Sequence, residues 1–229
     1  MTPSELKNLF RLETDDTAKP YFWSDEEFYI HLNEAQDLFV RLTGGISDRR
    51  SPVTKVTYKT GDQFLKYDDR IYRIKGAFNE QNHILTIKNF DNLETNTLED
   101  DYGGTNRIGI DDTRTGDVKM LITDVETKDF QLYPIPDHDG FVRLFVSRRP
   151  RDTITGEDSV LEIPEYQHLM LLNWVKYKAY MKHDSETFDG SKAADYRAAF
   201  SSDVQDARDE KRAREDTKRV VQYGGIPMS

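Results

Sequence analysis

Five histidines, His31, His83, His138, His168 and His183, are the side chains best suited to proton transfer or metal ligation, and their spacing argues against both. They lie far apart and no H-E-x-x-H occurs. Asp137-His138-Asp139 offers three ligand groups in a row. It is bounded by Pro134, Pro136 and Gly140, so its Asp and Gly residues are expected for turn geometry. The run from Asp111 to Asp117 opens like a calcium loop, but Ile122 stands where the closing bidentate Glu belongs. No G-x-x-x-x-G-K-[ST] or G-x-G-x-x-G gives Gly103-Gly104 a phosphate-cradling context, and no G-x-S-x-G presents a nucleophile. The chain has no cysteine, which removes thiolate sites and disulfides. The expectation is a chain with no catalytic, cofactor-binding or metal-ligating residues, and not an enzyme. Two other classes stay open. The 42 Asp and Glu allow a small hydrolase with dispersed carboxylates. Arg148, Arg149 and Arg151, with the basic half of the last helix, allow a nucleic-acid-binding accessory factor.

A formal net charge of -10 opposes tight gripping of a nucleic-acid backbone, which needs clustered Lys and Arg. Acidic walls instead repel DNA, and the same acidity equally serves solubility. With 229 residues the chain is long enough for one sizeable core, or for one domain plus an insertion. Hydrophobic residues make up 36% and charged residues 32%, a polar balance that fits a protein resting partly on neighbours. No run of about 18 apolar residues occurs and the N-terminus lacks a basic start with an apolar stretch, so no membrane association is expected.

The elements that must position these groups fall into helical and β textures. Thr2-Pro3 with Glu5 opens a short helix carrying Leu6, Leu9 and Phe10 on one side. Ser24 with Glu27 three residues later is a capping box. Phe28, Leu32, Ala35, Phe39 and Leu42 then form an apolar stripe ending at Thr43-Gly44-Gly45. Tyr21, Phe22, Trp23 and Phe28 cluster there as staple and core, with Trp23, Phe28 and Trp174 as candidate subunit-interface or core residues. Ile46 to Pro52 reads as a polar connector. Strand patterns follow over Val53 to Lys59, Gln63 to Tyr67, Arg70 to Lys75, Ile84 to Lys88, Lys119 to Val125, Lys128 to Tyr133 and Phe141 to Ser147, the last two expected to pair as a hairpin. Phe90 to Gly104, acidic and without Lys or Arg, reads as a loop. Helical periodicity returns after Pro164 through Leu169, Leu172, Lys176, Ala179 and Tyr180, with Trp174 beside it. Ser191 is expected to cap a third long helix carrying Ala193, Tyr196, Phe200, Val204 and Ala207. In Asp206 to Arg219, 11 of 14 residues are charged, the mark of a solvent-exposed helical extension. The chain then turns apolar through Val220, Val221, Tyr223, Ile226, Pro227 and Met228, either a frayed terminus or an arm that docks on a partner.

Three of these segments carry a family resemblance. Trp23 to Gln36, W-S-D-E-E-F-Y-I-H-L-N-E-A-Q, preceded by Pro20-Tyr21, resembles the opening helix of head-to-tail adaptor (connector) proteins of tailed bacteriophages. Phe130 to Asp137 is similar to the family's strand followed by a Tyr-Pro-x-Pro-Asp turn. Ile163-Pro164-Glu165-Tyr166 and Trp174 to Phe188 are similar to its second long helix. The three occur in the family's order, so the resemblance covers roughly residues 10–200.

That resemblance implies an α+β fold: a bundle of long helices with a β-rich insertion between the first and second, and a C-terminal helical extension. It implies an adaptor domain over 1–205, with helical core 1–45 and 160–205 and insertion 53–150, then a charged helix and docking arm over 206–229. It implies a structural virion protein at the neck, made in the host cytoplasm. Copies would form a dodecameric ring between portal and tail that extends the DNA channel without sequence-specific DNA binding. The arm from Val220 to Met228 and the helix from Asp206 to Arg219 would meet the portal protein, and turns of the β insertion would meet tail, stopper or nozzle proteins.

Overall fold

The computed structural model describes residues 1–89, 113–183 and 186–216. The chain divides into two compact units, one of residues 1–45 with 150–229 and one of residues 46–149. The readings placed on Phe90 to Gly104, on Asp111-Asp112 and on the arm from Val220 onward lie outside the described residues.

In the first unit, α1 (Pro3–Glu13) and α2 (Asp25–Leu42) each begin at a complete capping box, Thr2 with Glu5 and Ser24 with Glu27. Helix α2 ends where Gly44 adopts φ +81° and the Gly45 amide donates to the Val40 carbonyl, a left-handed stop that suits glycine. The third helix, α3 (Met170–Tyr180), follows a single 3-10 turn at Glu165–Gln167, and the fourth, α4 (Gly190–Asp216), packs against it. Asp189 rather than Ser191 caps α4, its carboxylate accepting from the Ser191 and Lys192 amides. Leu171, Leu172 and Val175 fill the core, whereas Leu169, expected on the buried stripe, is half exposed. Helix α4 runs unbroken through residue 206. Its charged end is not wholly solvated, because Lys211 Nζ donates to the carbonyls of Thr43 and Gly45 at the end of α2.

The second unit is one eight-stranded sheet: β1 (Ile46–Asp48), β2 (Lys55–Tyr58), β3 (Phe64–Lys66), β4 (Ile71–Phe78), β5 (Ile84–Asn89), β6 (Met120–Thr123), β7 (Asp129–Tyr133) and β8 (Gly140–Arg148). The order runs β1-β8-β4-β5-β6-β7-β3, and β2 pairs with the same edge of β8 as β1. All pairings are antiparallel except β5 with β6. Strands β2 and β3, at opposite ends of the order, lie side by side, so the sheet curls. Tyr58, Ile71, Ala77, Leu85, Leu121, Phe130, Leu132, Val142, Leu144 and Val146 face inward and form its core.

Three expectations are corrected. The fold is not a bundle of long helices with a β-rich insertion. It is a small α+β protein with a curled half-barrel of sheet and four helices among the described residues, α1 and α3 having only 11 residues each. Period-2 alternation over eight strands gives the sheet its own core, so it folds as a body rather than as a decoration on helices. The last two strands form no hairpin with each other, because β7 pairs with β6 and β3 while β8 pairs with β4, β1 and β2. Finally, the connector after α2 contains β1, whose Asp48 carboxylate binds Arg148 Nε at 2.5 Å.

Candidate functional site

Chain-distant turns converge at one end of the sheet. The Gly61 amide donates to the Pro136 carbonyl, the Thr60 amide and hydroxyl to Asp139, the Phe141 amide to Glu80, the Gly116 amide to the Ile135 carbonyl and the Ile135 amide to the Arg114 carbonyl. The chain enters and leaves this unit at the opposite end, near Ile46 and Arg149, because β8 starts beside the turns and runs away from them.

Among these turns lies a cleft of about 330 Å³ lined by Tyr58, Glu80, His83, Ile84, Asp117 and His138, with Leu85 and Val118 as its apolar wall. His138 Nδ1 is 2.7 Å from Asp137 Oδ1 and 3.9 Å from Asp117. The hydrogen bond to Asp137 raises the His138 pKa above its usual value, with the Asp137, Asp117 and Glu80 charges adding to it. The Tyr58 hydroxyl is pushed up first by burial and then by Glu80, Asp117 and Asp137. Ligand atoms of Asp117, Asp137 and His138 lie within 4.8 Å of one another, all three residues being exposed. The Nδ1 atom that faces a cation there already holds Asp137, so ligation would require breaking that contact. The cleft is anionic and open, and it sets no nucleophile against a base.

The sequence singled out His138 and Asp137, and Asp117 only within the rejected calcium-loop reading, but missed Glu80 and Tyr58. No spacing signal was available, since strand pairing alone brings together residues 58, 80, 117 and 138.

Of the other named residues, Trp23, Phe28 and Trp174 sit in the helical unit. Trp23 and Phe28 are buried, with Phe10 between them at ring separations of 5.5 and 5.4 Å. Trp23 Nε1 donates to the Ala179 carbonyl at 3.0 Å. Trp174 is half-buried against Phe200 and Tyr177, 5.1 and 5.0 Å away. Arg148, assigned to the nucleic-acid alternative, is buried on Asp48 and on the Arg149 carbonyl. Val220, Val221, Tyr223, Ile226, Pro227 and Met228 lie outside the described residues. No helix among the described residues is long and apolar enough to cross a membrane.

The family model described as SU10 adaptor protein matches residues 1–222. No curated protein matches the chain.

Proposed function

Since the chain belongs to the SU10 adaptor protein family, a phage head-to-tail adaptor family, and is therefore a structural component of a bacteriophage virion that interacts with other head and tail proteins, we propose that it forms a ring between portal and tail. The match over residues 1–222 carries this reading. In the proposal, copies pack side by side as a dodecamer beneath the portal, extend the DNA channel and offer tail or stopper proteins a docking surface. The role is mechanical and non-catalytic. The open, exposed character of the His138 cleft, whose imidazole is engaged by Asp137, is consistent with that.

Contacts are assigned to two segments, the C-terminal arm and the turn cluster of the sheet unit. Val220 to Met228 docks on the portal protein, supported by its apolar composition after a charged helix. The turn cluster around Thr60, Glu80 and Asp137, distant from the chain's entry into the sheet, meets the tail side.

Quantitative mass spectrometry of gradient-purified, DNA-filled particles tests the role. A near one-to-one copy ratio with the portal protein is expected, and absence from the particles overturns it. Deleting Val220 to Ser229 should abolish portal binding with the fold intact; unchanged binding removes the arm from the proposal.

A further inference from the structure

The outward face of the sheet around β8 has a charge opposite to that of the whole chain. On that face β2, β4, β5 and β8 carry Lys55, Arg73, Lys75, Lys88 and Arg143, while Arg148 and Asp48 lie in register with the inward-facing Ile71 and Val146. Arg148 consumes Asp48. The register puts Lys55 directly opposite Arg143 across β2 and β8, and Arg143 opposite Phe78 across β8 and β4. Arg73 pairs with Ser147 on the same face, and Lys75 Nζ reaches Ser47 Oγ at 3.0 Å.

Like charges directly opposite in a sheet are destabilising, and no carboxylate among the described residues pairs with them. Lys55, Arg73, Lys75, Arg143 and Arg49 form no ion pair with a carboxylate among the described residues. A local rule broken without compensation marks a functional surface more often than an accident.

Aromatic rings hold the cations in place. The Lys55 ammonium lies 4.1 Å from the centre of Phe141, the Arg49 guanidinium 3.8 Å from that of Phe78, and the Lys75 ammonium 5.5 Å from that of Phe145. Each ring restricts a long side chain without cancelling its charge, and Arg49 also donates to Asn82 Oδ1 as Lys75 does to Ser47 Oγ. Lys55, Arg49 and Arg73 are exposed. Neighbouring strands stand about 4.8 Å apart and alternate residues about 6.7 Å, so the face presents a lattice of fixed cations a few ångströms apart. A nucleic-acid backbone presents anions at comparable intervals.

From this arrangement we infer that the outward face of β2, β8 and β4 is a sequence-independent contact surface for the phosphate backbone of DNA, made by Lys55, Arg73, Lys75, Arg143 and Arg49. The three guanidinium and two ammonium groups position a phosphate backbone by charge, a contact that carries no sequence information. The net charge of -10 opposes long-range attraction, so contact is weak and confined to low salt. The inference stands on the sheet and does not depend on ring formation or on the adaptor reading.

The test is fluorescence anisotropy of the full chain with a labelled duplex of about 24 base pairs of arbitrary sequence, titrated at several salt concentrations. Binding is expected at about 20 mM salt and lost near physiological salt. The variant Lys55→Ala/Lys75→Ala/Arg143→Ala should reduce the slope of log K against log salt by about 2.7, or 0.9 for each phosphate contact removed. A control, Lys59→Ala/Arg114→Ala at the turn cluster, should leave it unchanged. Absence of binding at low salt, or an unaltered slope in the triple variant, overturns the inference. So does displacement of the duplex by polyglutamate more readily than by unlabelled duplex, which would assign the face to an acidic protein. If the triple variant does not fold, amide shift changes in the wild-type chain decide: perturbation over 73–78 and 141–147 supports the surface, and perturbation confined elsewhere overturns it.

Discussion

The indole of Trp23 donates to the carbonyl of Ala179 at 3.0 Å, a hydrogen bond that ties the start of α2 to the end of α3 across 156 residues of sequence. The ring also meets Phe10 and Tyr180 edge-on, at 5.5 and 5.7 Å, so one side chain joins α1, α2 and α3. Trp23→Ala is expected to cost about 3–5 kcal/mol of unfolding free energy. Leu12→Ala, at a side chain that is 66% exposed, should change it by less than about 0.5 kcal/mol. Urea unfolding followed by far-UV circular dichroism distinguishes the two.

Beneath that indole, Arg11 binds Asp16, Asp25 and the Trp23 carbonyl, with Asp16 almost fully buried. Asp16→Asn leaves the Arg11 guanidinium with Asp25 as its carboxylate partner and should destabilise by about 1–3 kcal/mol. The double variant Arg11→Met/Asp16→Asn removes both charges while keeping an acceptor for the Phe22 amide, and should recover part of that loss. An additive double-variant cost would show that the pair does not act as a unit.

Asp25 is held below its usual 3.8 by hydrogen bonds from Arg11 and then Lys7, with burial opposing. A carboxylate whose folded-state pKa is depressed contributes stability that is complete above the unfolded value and lost as pH falls through the folded one. Wild-type stability should therefore drop as pH falls below about 3.8, and Asp25→Asn should flatten that drop. Equal acid sensitivity in wild type and variant, measured by chemical denaturation between pH 2 and 6, would refute the assignment.

Histidine titration separates two environments in one NMR experiment. His138 should titrate above the usual 6.5 because Asp137 accepts a hydrogen bond from its protonated ring, and Asp137→Asn should bring it down. His31 should titrate below 6.5, first because it is buried and then because Lys178 lies near. The reverse order of the two would contradict the geometry.

Gly140 starts β8 where a Cβ would sit 2.5 Å from Glu80 Oε1 and 2.7 Å from the buried Tyr58 hydroxyl. Gly140→Ala should cost about 1–3 kcal/mol by overpacking and loosen the Glu80–Phe141 hydrogen bond. Gly156→Ala, with no heavy atom within 4 Å of the new methyl group, should be tolerated. Thermal unfolding of the two variants side by side checks the contrast.

Much of the helical unit was legible because its signals are local. Capping boxes span three residues, and the stripe from Phe28 to Phe39 repeats within one helix, so Ser24, Glu27 and the buried faces could be read directly. Alternation located seven of the strands, from Lys55–Tyr58 to Gly140–Arg148, to within a few residues. The family resemblance rested on the same local segments.

Strand pairing was not legible. Alternation tells a residue which face it occupies but not which strand lies beside it, so β7 and β8 read as a hairpin although each pairs elsewhere. For the same reason the anionic cleft of Tyr58, Glu80, Asp117 and His138 and the cationic row of Lys55, Arg143 and Arg49 had no signature in spacing. A charge sum of -10 averages over both surfaces. The sequence by itself determined where the helices start and stop, which strand residues turn inward, and the adaptor family. Only the tertiary structure decided which charges stand together, because that depends on contacts between residues tens of positions apart, which local periodicity does not encode.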